Sequence, residues 1–489
     1  MKKVVALILL TAILASLPAS VSCGERKAGD ETDTPASDQS ASSEETSSKY
    51  ADELPELDYE GAEFRILTFD QSTLSFARSV IDVLEQSADT LNDAIYQRNR
   101  AVEERLNIKI VEGTQKYAPS DNLRDTRNFI MSNDDTYSVV MDFATNITSL
   151  AMEGLLVDFR DLKYVDLSRE YWSDSLNSSL SIANKNYLAA GDFSFSTHDG
   201  TGAIIFNKTL HDSLKLDDVY ELVRTGKWTF DAFGEQARAG VQDLDGNGTM
   251  DVNDRYGYLS IPKEIPSSFW IGAGTLSVSK DQDDIPYLSA DHDERFINAF
   301  DKLLDIIWSD NVWFSAKTPN GANESPKFEN GQGLFAFQRL YSLDQMRDKE
   351  VDFGIIPFPK YDEAQDYYYS RVAGLVIGMV PKSASDLDMT GAVLEALCSA
   401  SRTTTIKAYY DIMLESKLTR DEESSEMLDI IFAHRVCDHG DLTWVAMLRD
   451  GIFCSMVMNN DHAIASKTSS VKARLDKSIA ETVDGLTQQ

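Results

Sequence analysis

The sequence predicts an α/β fold built on a parallel sheet. Three short apolar runs, at residues 64–69, 108–111 and 137–142, have the composition of buried strands. A segment with helical periodicity near residues 90–107 separates the first two runs, and further helix separates the second from the third. Strands that alternate with helices in this way are typical of parallel sheets with helical crossovers.

Polar residues follow two of these strands. Ligands of open α/β sheets bind beyond the carboxyl ends of the strands, which draws attention to Asp70, Asp142 and the nearby Asn146. Each of these side chains could equally cap a following turn or helix.

The charge balance excludes some classes of partner. The chain has 489 residues, enough for two or three domains, and a formal net charge of −34. Such a surface repels phosphate backbones and anionic membranes, so we expect no nucleic-acid partner.

The first residues predict export. Two lysines precede an apolar run of signal-peptide length, so residues 1–22 are predicted to be a signal peptide. Small residues then lead to Cys23 in a pattern that resembles a bacterial lipobox, which predicts a lipidated cysteine and an extracytoplasmic, lipid-anchored protein. Ordinary secretion, with Cys23 trimmed away, is the alternative. Residues 23–49 are rich in Ser, Thr and acid, and are predicted to be a disordered tether.

Three further cysteines, Cys398, Cys437 and Cys454, have no metal-binding spacing. Cys437 and Cys454 could pair, but an odd number of cysteines in an exported chain favours buried free thiols.

One loop has the spacing of a calcium site. Oxygen-bearing residues recur at positions 1, 3, 5, 7, 9 and 12 of residues 243–254, with Gly248 at position 6, as in an EF-hand loop. They are Asp243, Asp245, Asn247, Thr249, Asp251 and Asp254. Position 12 is Asp rather than Glu, a shorter arm for bidentate coordination, and a plain acidic turn is the alternative. A helix precedes the loop but a strand follows it, so we predict a structural calcium site rather than a sensor.

Five stretches that combine aromatic and acidic residues, most of them with glycine, occur along the chain. They read GKWTFDAF, DLDGNGTMDVNDRYGY, FENGQGLFAF, DFGIIPFPKYDEAQDYYY and RDEESSEMLDIIF. In this order, behind a lipobox and an acidic tether, they resemble the extracellular solute-binding proteins of ABC importers, in the maltose-binding-protein-like class. The similarity covers nearly all of the chain after the signal peptide.

The resemblance implies two discontinuous α/β lobes joined by a multi-strand hinge, which close on a solute. Crossovers are expected near residues 198–206, near 371–377 and again in the C-terminal helices. Lobe 1 is then predicted to hold residues 50–202 and 375–430. Lobe 2 is predicted to hold residues 203–374 and 431–489, with the calcium-type loop.

A carbohydrate site needs aromatic faces for the C–H side of a sugar and planar polar groups for its hydroxyls. The aromatic candidates are Trp172, Trp270, Tyr341, Tyr369 and Trp444. The polar candidates are Asp70, Asp142, Asn146, Asp192 and Arg339. Trp270, Tyr341 and Trp444 fall where the resembled proteins carry sugar-contacting aromatics, although packing in the core is the alternative for every aromatic.

The expected protein is therefore a monomeric receptor, not an enzyme, that delivers a mono- or oligosaccharide to an ABC permease. A secreted glycan-active enzyme and a surface glycan sensor that does not transport are the alternatives. The sequence contains no nucleophile elbow, zinc-protease motif or phosphate-binding loop.

Overall fold

The computed structural model describes residues 50–488, except residues 75–76, 315–323, 344–345, 347–348 and 416–421. The predicted signal peptide, Cys23 and the tether lie outside the described residues. Within the described part, no helix combines the length and apolar character needed to cross a membrane.

Strands and helices alternate along most of the described chain. The strands are β1 (Ala62–Phe69), β2 (Ile108–Gln115), β3 (Val139–Phe143), β4 (Leu156–Val157), β5 (Gly202–Asn207), β6 (Tyr256–Leu259), β7 (Val278–Lys280), β8 (Pro286–Leu288), β9 (Gly333–Arg339), β10 (Phe353–Ile356), β11 (Ser370–Arg371), β12 (Val376–Pro381) and β13 (Arg435–Val436). The helices are α1 (Thr90–Leu106), α2 (Pro119–Met131), α3 (Ala144–Met152), α4 (Asp174–Leu180), α5 (Ser196–Asp199), α6 (Lys208–Leu214), α7 (Val219–Arg224), α8 (Phe230–Ala239), α9 (Ile265–Gly272), α10 (Glu294–Trp308), α11 (Glu324–Glu329), α12 (Leu340–Leu343), α13 (Leu387–Thr403), α14 (Thr405–Glu415), α15 (Glu422–Ala433), α16 (Cys454–Asn459) and α17 (Ile464–Thr487).

The first sheet has the strand order β2-β1-β3-β12-β4. β1 runs parallel to β2 and to β3, as the alternation of strand and helix predicts, and the helices α1 and α2 connect these strands. β12 joins from a distant part of the chain and pairs antiparallel with β3 and β4. Phe64, Ile66 and Phe69 of β1 are buried in the core of this layer.

The second sheet has the order β10-β5-β9-β6. β5 pairs antiparallel with β10 and β9, and β6 runs parallel to β9. Its core is aromatic: the Phe233 ring lies 5.6 Å from that of Phe335 and 5.4 Å from those of Tyr258 and Phe269. The described chain therefore builds two large sheets with separate strand sets, which give the fold its two α/β lobes, and two smaller pairs, β11–β13 and β7–β8.

The chain passes between the sheets where the resemblance implies crossovers. Ala189 still forms a bridge to Gly378 of β12, whereas β5 begins at residue 202 in the second sheet. The return path runs from β11 to β12, and the two paths touch, because Ala373 N donates to Gly200 O at 2.8 Å. A Cβ atom on Gly200 would lie 2.6 Å from Ala373 O, so only glycine fits this close approach.

The C-terminal helices bind the two layers together. α14 packs against α1 of the first layer, whereas α15 packs against β10 of the second sheet. The predicted lobe boundary at residue 430 lies within α15. α17 packs against both α3 and β8, and Tyr187 donates to Leu486 O at 3.0 Å.

Candidate functional site

A cavity of about 560 Å³ lies between the two sheets, at the carboxyl ends of strands from both. Tyr117 follows β2, Phe143 ends β3, Ser260 follows β6 and Arg339 ends β9. The cavity is lined by Tyr117, Phe143, Ser260, Ile261, Lys263, Glu264, Phe337, Gln338, Arg339, Tyr341, Ser342, Gly374 and Arg449. Its position follows the rule that ligands of α/β sheets bind beyond the carboxyl ends of the strands.

The first sheet supplies an aromatic wall. The rings of Tyr117 and Phe143 lie 5.5 Å apart, and Phe69 contacts both, with ring centroids at 5.9 and 5.8 Å. Burial, together with the nearby Asp142, raises the pKa of the Tyr117 hydroxyl. Tyr117 is therefore a neutral hydrogen-bonding group at physiological pH.

The second sheet supplies a wall of arginines and carboxylates. Arg339 Nη2 donates to Glu264 Oε1 at 2.7 Å, and Arg371 Nη1 donates to Glu264 Oε2. Arg371 turns its other edge to Asp441, with Nε–Oδ2 at 2.6 Å and Nη2–Oδ1 at 3.0 Å. Arg449 completes the series, since its Nη1 donates to Asp441 Oδ1 at 2.7 Å. These five side chains, Glu264, Arg339, Arg371, Asp441 and Arg449, form what we call the arginine network.

The network stays fully charged although it is buried. Burial acts to raise the pKa of Glu264, but Arg339 and Arg371 outweigh it and hold that pKa well below its usual range. Burial likewise opposes ionisation of Asp441, and Arg371 and Arg449 hold its pKa below the usual value. Each carboxylate thus has two guanidinium partners, which is the arrangement that compensates the cost of burying charge.

Two of the predicted binding residues, Arg339 and Tyr341, line the cavity. Asp142 and Asn146 lie directly behind its wall: the Asp142 carboxylate accepts from Phe143 N at 2.7 Å and from Asn146 Nδ2 at 3.2 Å. Asp70 follows β1 but accepts from Ser72 N at 2.9 Å, so it caps a turn. For these three residues the structure gives the capping or supporting role that was the alternative.

The predicted tryptophans lie in the core, which corrects the expectation that they face a cleft. Trp172 is fully buried against Phe159 and Phe193, and its Nε1 donates to Glu395 at 2.6 Å. Trp270 packs between two phenylalanines, at ring distances of 5.4 and 5.1 Å. Trp444 is 3% exposed and donates to Ser478 Oγ at 3.1 Å. Side-chain packing therefore accounts for all three.

The remaining two candidates also lie outside the cavity. Asp192 is buried and pairs with Arg402, Nη1 to Oδ2 at 3.3 Å, while burial raises the pKa of its carboxyl to about 6. Tyr369 is half-buried, and its ring lies 6.0 Å from that of His434. Neither residue is among those that line the cavity.

The sequence reasoning missed Tyr117, Lys263, Glu264 and Arg449. The rule about strand ends would have found Tyr117, had it been applied to the end of β2. Glu264, by contrast, carries no local signal, because its partners Arg339 and Arg371 come from strands far along the chain.

The calcium-type loop is a separate feature of the second layer. Carboxylate oxygens of Asp243, Asp245 and Asp254 all lie within 4.8 Å of one another. Asp243 accepts from Gly246 N and Gly248 N, both at 2.7 Å, and these glycines have positive φ angles of 71° and 81°. Asp254 is fully buried and accepts from two backbone N–H groups, at 2.8 and 2.7 Å.

The loop is closed at its base by an antiparallel bridge between Gln242 and Arg255, with both N–O distances at 3.0 Å. As predicted, α8 precedes the loop and β6 follows it. The loop thus turns acidic oxygens toward one point, and oxygen is the ligand that Ca²⁺ prefers. None of its residues lines the cavity.

The three described cysteines, Cys398, Cys437 and Cys454, are buried free thiols. Burial raises the pKa of Cys437 to about 12 and that of Cys454 to about 11.

No protein-family model matches the chain. No curated protein matches it in sequence either.

Solved structures do match its fold. The ABC substrate-binding protein Lmo0181 from Listeria monocytogenes, solved with cycloalternan, is 14% identical with a TM-score of 0.52, over 86% of this chain and 99% of that one. A sugar transporter protein from Rhizobium etli, in an open conformation, is 14% identical with a TM-score of 0.54, over 87% and 99%. UgpB from Mycobacterium tuberculosis, solved with glycerophosphocholine, is 15% identical with a TM-score of 0.54, over 86% and 98%. With two α/β lobes and a cavity between their sheets, the chain has the fold of the substrate-binding proteins of ABC transporters.

Proposed function

We propose that this protein is an extracytoplasmic receptor that captures a carbohydrate between its lobes and presents it to the permease of an ABC importer. The observation that carries the proposal is the cavity at the carboxyl ends of both sheets. Its volume, about 560 Å³, falls in the range of small-molecule sites. The fold that the chain shares with ABC substrate-binding proteins supports the same function.

The lining suits a sugar. Tyr117, Phe143 and Tyr341 offer aromatic faces for C–H groups, whereas Ser260 and Gln338 offer polar atoms for hydroxyls. A sugar presents apolar C–H groups next to polar hydroxyl groups. The combination of aromatic and polar side chains in the lining therefore favours a sugar over a purely apolar solute.

The lining does not suit glycoside hydrolysis. That reaction uses a pair of carboxyl groups, one of them a general acid with a raised pKa. Among the described residues that line the cavity, Glu264 is the one carboxylate, and two arginines lower its pKa. A receptor therefore accounts for the site better than a glycan-active enzyme does.

Delivery to a permease requires an open and a closed state of the two lobes. Two of the chain crossings meet at Gly200 and Ala373, and a bend there would move the lobes relative to each other. A solute that contacts both walls binds the closed state more tightly and so shifts the population toward it. The receptor acts as a monomer, held to the membrane through lipid on Cys23.

The proposal includes a structural calcium ion in the loop of residues 243–254. Asp243, Asp245 and Asp254 would hold it, because their carboxylate oxygens converge within 4.8 Å. Calcium would neutralise these like charges and fix the loop between α8 and β6. It takes no part in solute binding.

Titration calorimetry of the mature protein against mono- and oligosaccharides tests the main proposal. A saturable heat with a sugar, and no turnover of that sugar, is the expected result. Tyr341→Ala should weaken binding about tenfold, since it removes an aromatic face worth about 1 kcal/mol together with a hydrogen-bonding group.

The matched control is Tyr287→Ala, an exposed tyrosine of the β7–β8 hairpin that does not line the cavity. It should leave affinity unchanged. Binding of amino acids or peptides, with no heat from any sugar, would refute the carbohydrate receptor. Release of reducing ends from a bound glycan would refute the non-enzymatic role.

A further inference from the structure

The cavity carries more positive than negative charge. Lys263, Arg339 and Arg449 line it, and Glu264 is the one acidic residue among its described lining. This local sign is opposite to that of the whole chain, which has a formal net charge of −34. The cations therefore belong to the cavity and not to a basic surface.

The acids of the network lie behind the arginines. The side chains of Glu264 and Asp441 are 3% and 1% exposed, whereas those of Arg339 and Arg449 are 16% and 15% exposed. Both carboxylates are therefore engaged in buried ion pairs. The atoms of the network that remain partly exposed belong to the side chains of Arg339 and Arg449. Asp450, which is 48% exposed and pairs with Arg449, offsets part of that charge.

Within the part of the chain that the structure describes, several donors in this wall have no acceptor. Arg339 uses Nη2 on Glu264, and neither its Nε nor its Nη1 bonds to any described residue. Lys263, half-buried beside Glu264, forms no ion pair within the described part of the chain. Closure over a neutral sugar would leave only hydroxyl oxygens as partners for these charged donors, whereas an anionic group would also balance their charge and form the stronger, charge-assisted hydrogen bonds.

We propose that the solute is an anionic carbohydrate, whose carboxylate, sulfate or phosphate group binds Lys263 and the N–H groups of Arg339 that Glu264 leaves unused. This inference rests on the proposed function and narrows its substrate class. The guanidinium group of Arg339 keeps N–H donors at Nε and Nη1 for the oxygens of such an anion, and the ammonium group of Lys263 adds a second positive charge. The aromatic wall of Tyr117 and Phe143 faces the same cavity and takes the sugar ring.

Paired ligands that differ only in charge test the inference in the mature protein. Trigalacturonate is compared with its methyl ester, a sulfated disaccharide with its unsulfated form, and a sugar phosphate with the free sugar, all by calorimetry. At least one anion should bind about tenfold or more tightly than its neutral counterpart, as expected for hydrogen bonds to a charged group. The three pairs also identify which anionic group is preferred.

Lys263→Gln should reduce that charge preference about tenfold, and Lys263→Arg should retain most of it. The matched control is Lys477→Gln, which removes the same charge from the exposed face of α17, where Lys477 is 76% exposed. It should leave the preference unchanged. A thermal melt of each variant checks that it folds.

Equal or tighter binding of every neutral form would overturn the inference while leaving the carbohydrate receptor intact. A charge preference that survives in Lys263→Gln would also overturn it, because the anion would then lie elsewhere. If no carbohydrate of either kind binds and a solute of another class does, the proposed function fails and the inference fails with it.

Discussion

The calcium-type loop and the arginine network both bring carboxylates close together, but they differ in how the repulsion between the negative charges is offset. In the loop, Asp243 and Asp254 are held by backbone N–H groups and converge with Asp245 on one point. In the network, Glu264 and Asp441 are buried and each lies between two arginines. The proposed calcium ion would balance the negative charge of the loop from outside, whereas the network draws its cations from the protein.

The difference also decides what a sequence can reveal. All the proposed oxygen ligands of the loop come from twelve consecutive positions, so their spacing is visible in the printed chain. In the network, Glu264 and Arg371 are 107 residues apart, and Arg371 and Asp441 are 70 apart. Only the fold brings them together.

Removing the central arginine should have the largest effect. Arg371→Met leaves Glu264 and Asp441 each with one partner fewer in a buried site, so we expect a loss of about 3–5 kcal/mol in the free energy of unfolding. Urea denaturation followed by circular dichroism measures this loss.

The matched control is Arg124→Met, because Arg124 also pairs with two carboxylates, those of Asp121 and Asp125, but at an exposed site. Solvent screening should make its loss too small to measure. Equal losses in the two variants would show that burial does not set the strength of the network.

Calcium should have the next largest effect, and it acts on the loop alone. At a free concentration one hundred times its Kd, calcium should raise the free energy of unfolding by about 2.7 kcal/mol, since it binds the native state. Thermal melts with calcium and then with chelator measure the shift.

Asp243→Asn should abolish this calcium response. Asp281→Asn serves as the control, because Asp281 also accepts backbone N–H groups in a tight turn, both at 2.9 Å, yet lies outside the converging carboxylates. If calcium does not change the melting temperature of the unsubstituted protein, the result would favour the alternative that the loop is a plain acidic turn.

Asp142 should give the smallest effect. Among the described residues its carboxylate has no arginine partner and accepts from Phe143 N and Asn146 Nδ2, so it shows how a buried carboxylate behaves without the cations of the network. Burial raises the pKa of its carboxyl from 3.8 to about 6. The folded state therefore binds the proton more tightly than the unfolded state, and Asp142 costs stability as pH rises from about 4 to about 6.

Asp142→Asn should remove that loss, so that the variant gains about 2 kcal/mol relative to the unsubstituted protein between pH 4 and pH 7. Asn146→Ala removes a donor to the carboxylate and should make the loss with pH larger. Parallel stability curves for Asp142→Asn and the unsubstituted protein would contradict this account.

Sequence reasoning reached the fold and part of the site. Local periodicity predicted the strands β1, β2 and β3 and their parallel order, because each crossover is short and helical. Periodicity could not place β12 in the same sheet, since its register, with Ile377 opposite Asp142, joins distant parts of the chain. That crossover came from the resemblance alone.

Position at or just after the end of a strand predicted the residues that line the cavity better than residue type did. Arg339 ends β9, Tyr341 lies two residues beyond it, and both line the cavity. Trp172, Trp270 and Trp444 were chosen because tryptophan suits sugars, but large aromatic rings fill cores equally well. Trp172 is held in the core by Glu395, a partner 223 residues away that no local pattern indicates.

The buried thiols have a practical consequence for observing the two lobes at work. Because burial raises the pKa of Cys398, Cys437 and Cys454, almost no thiolate is present near neutral pH, and the thiolate is the form that alkylating dyes attack. With Cys23 replaced by serine, a single cysteine introduced on the cavity rim, for example Ser342→Cys, would be the preferred point of attachment for a fluorophore. The native cysteines could then remain in place, and the emission of the dye would report each capture and release of solute directly.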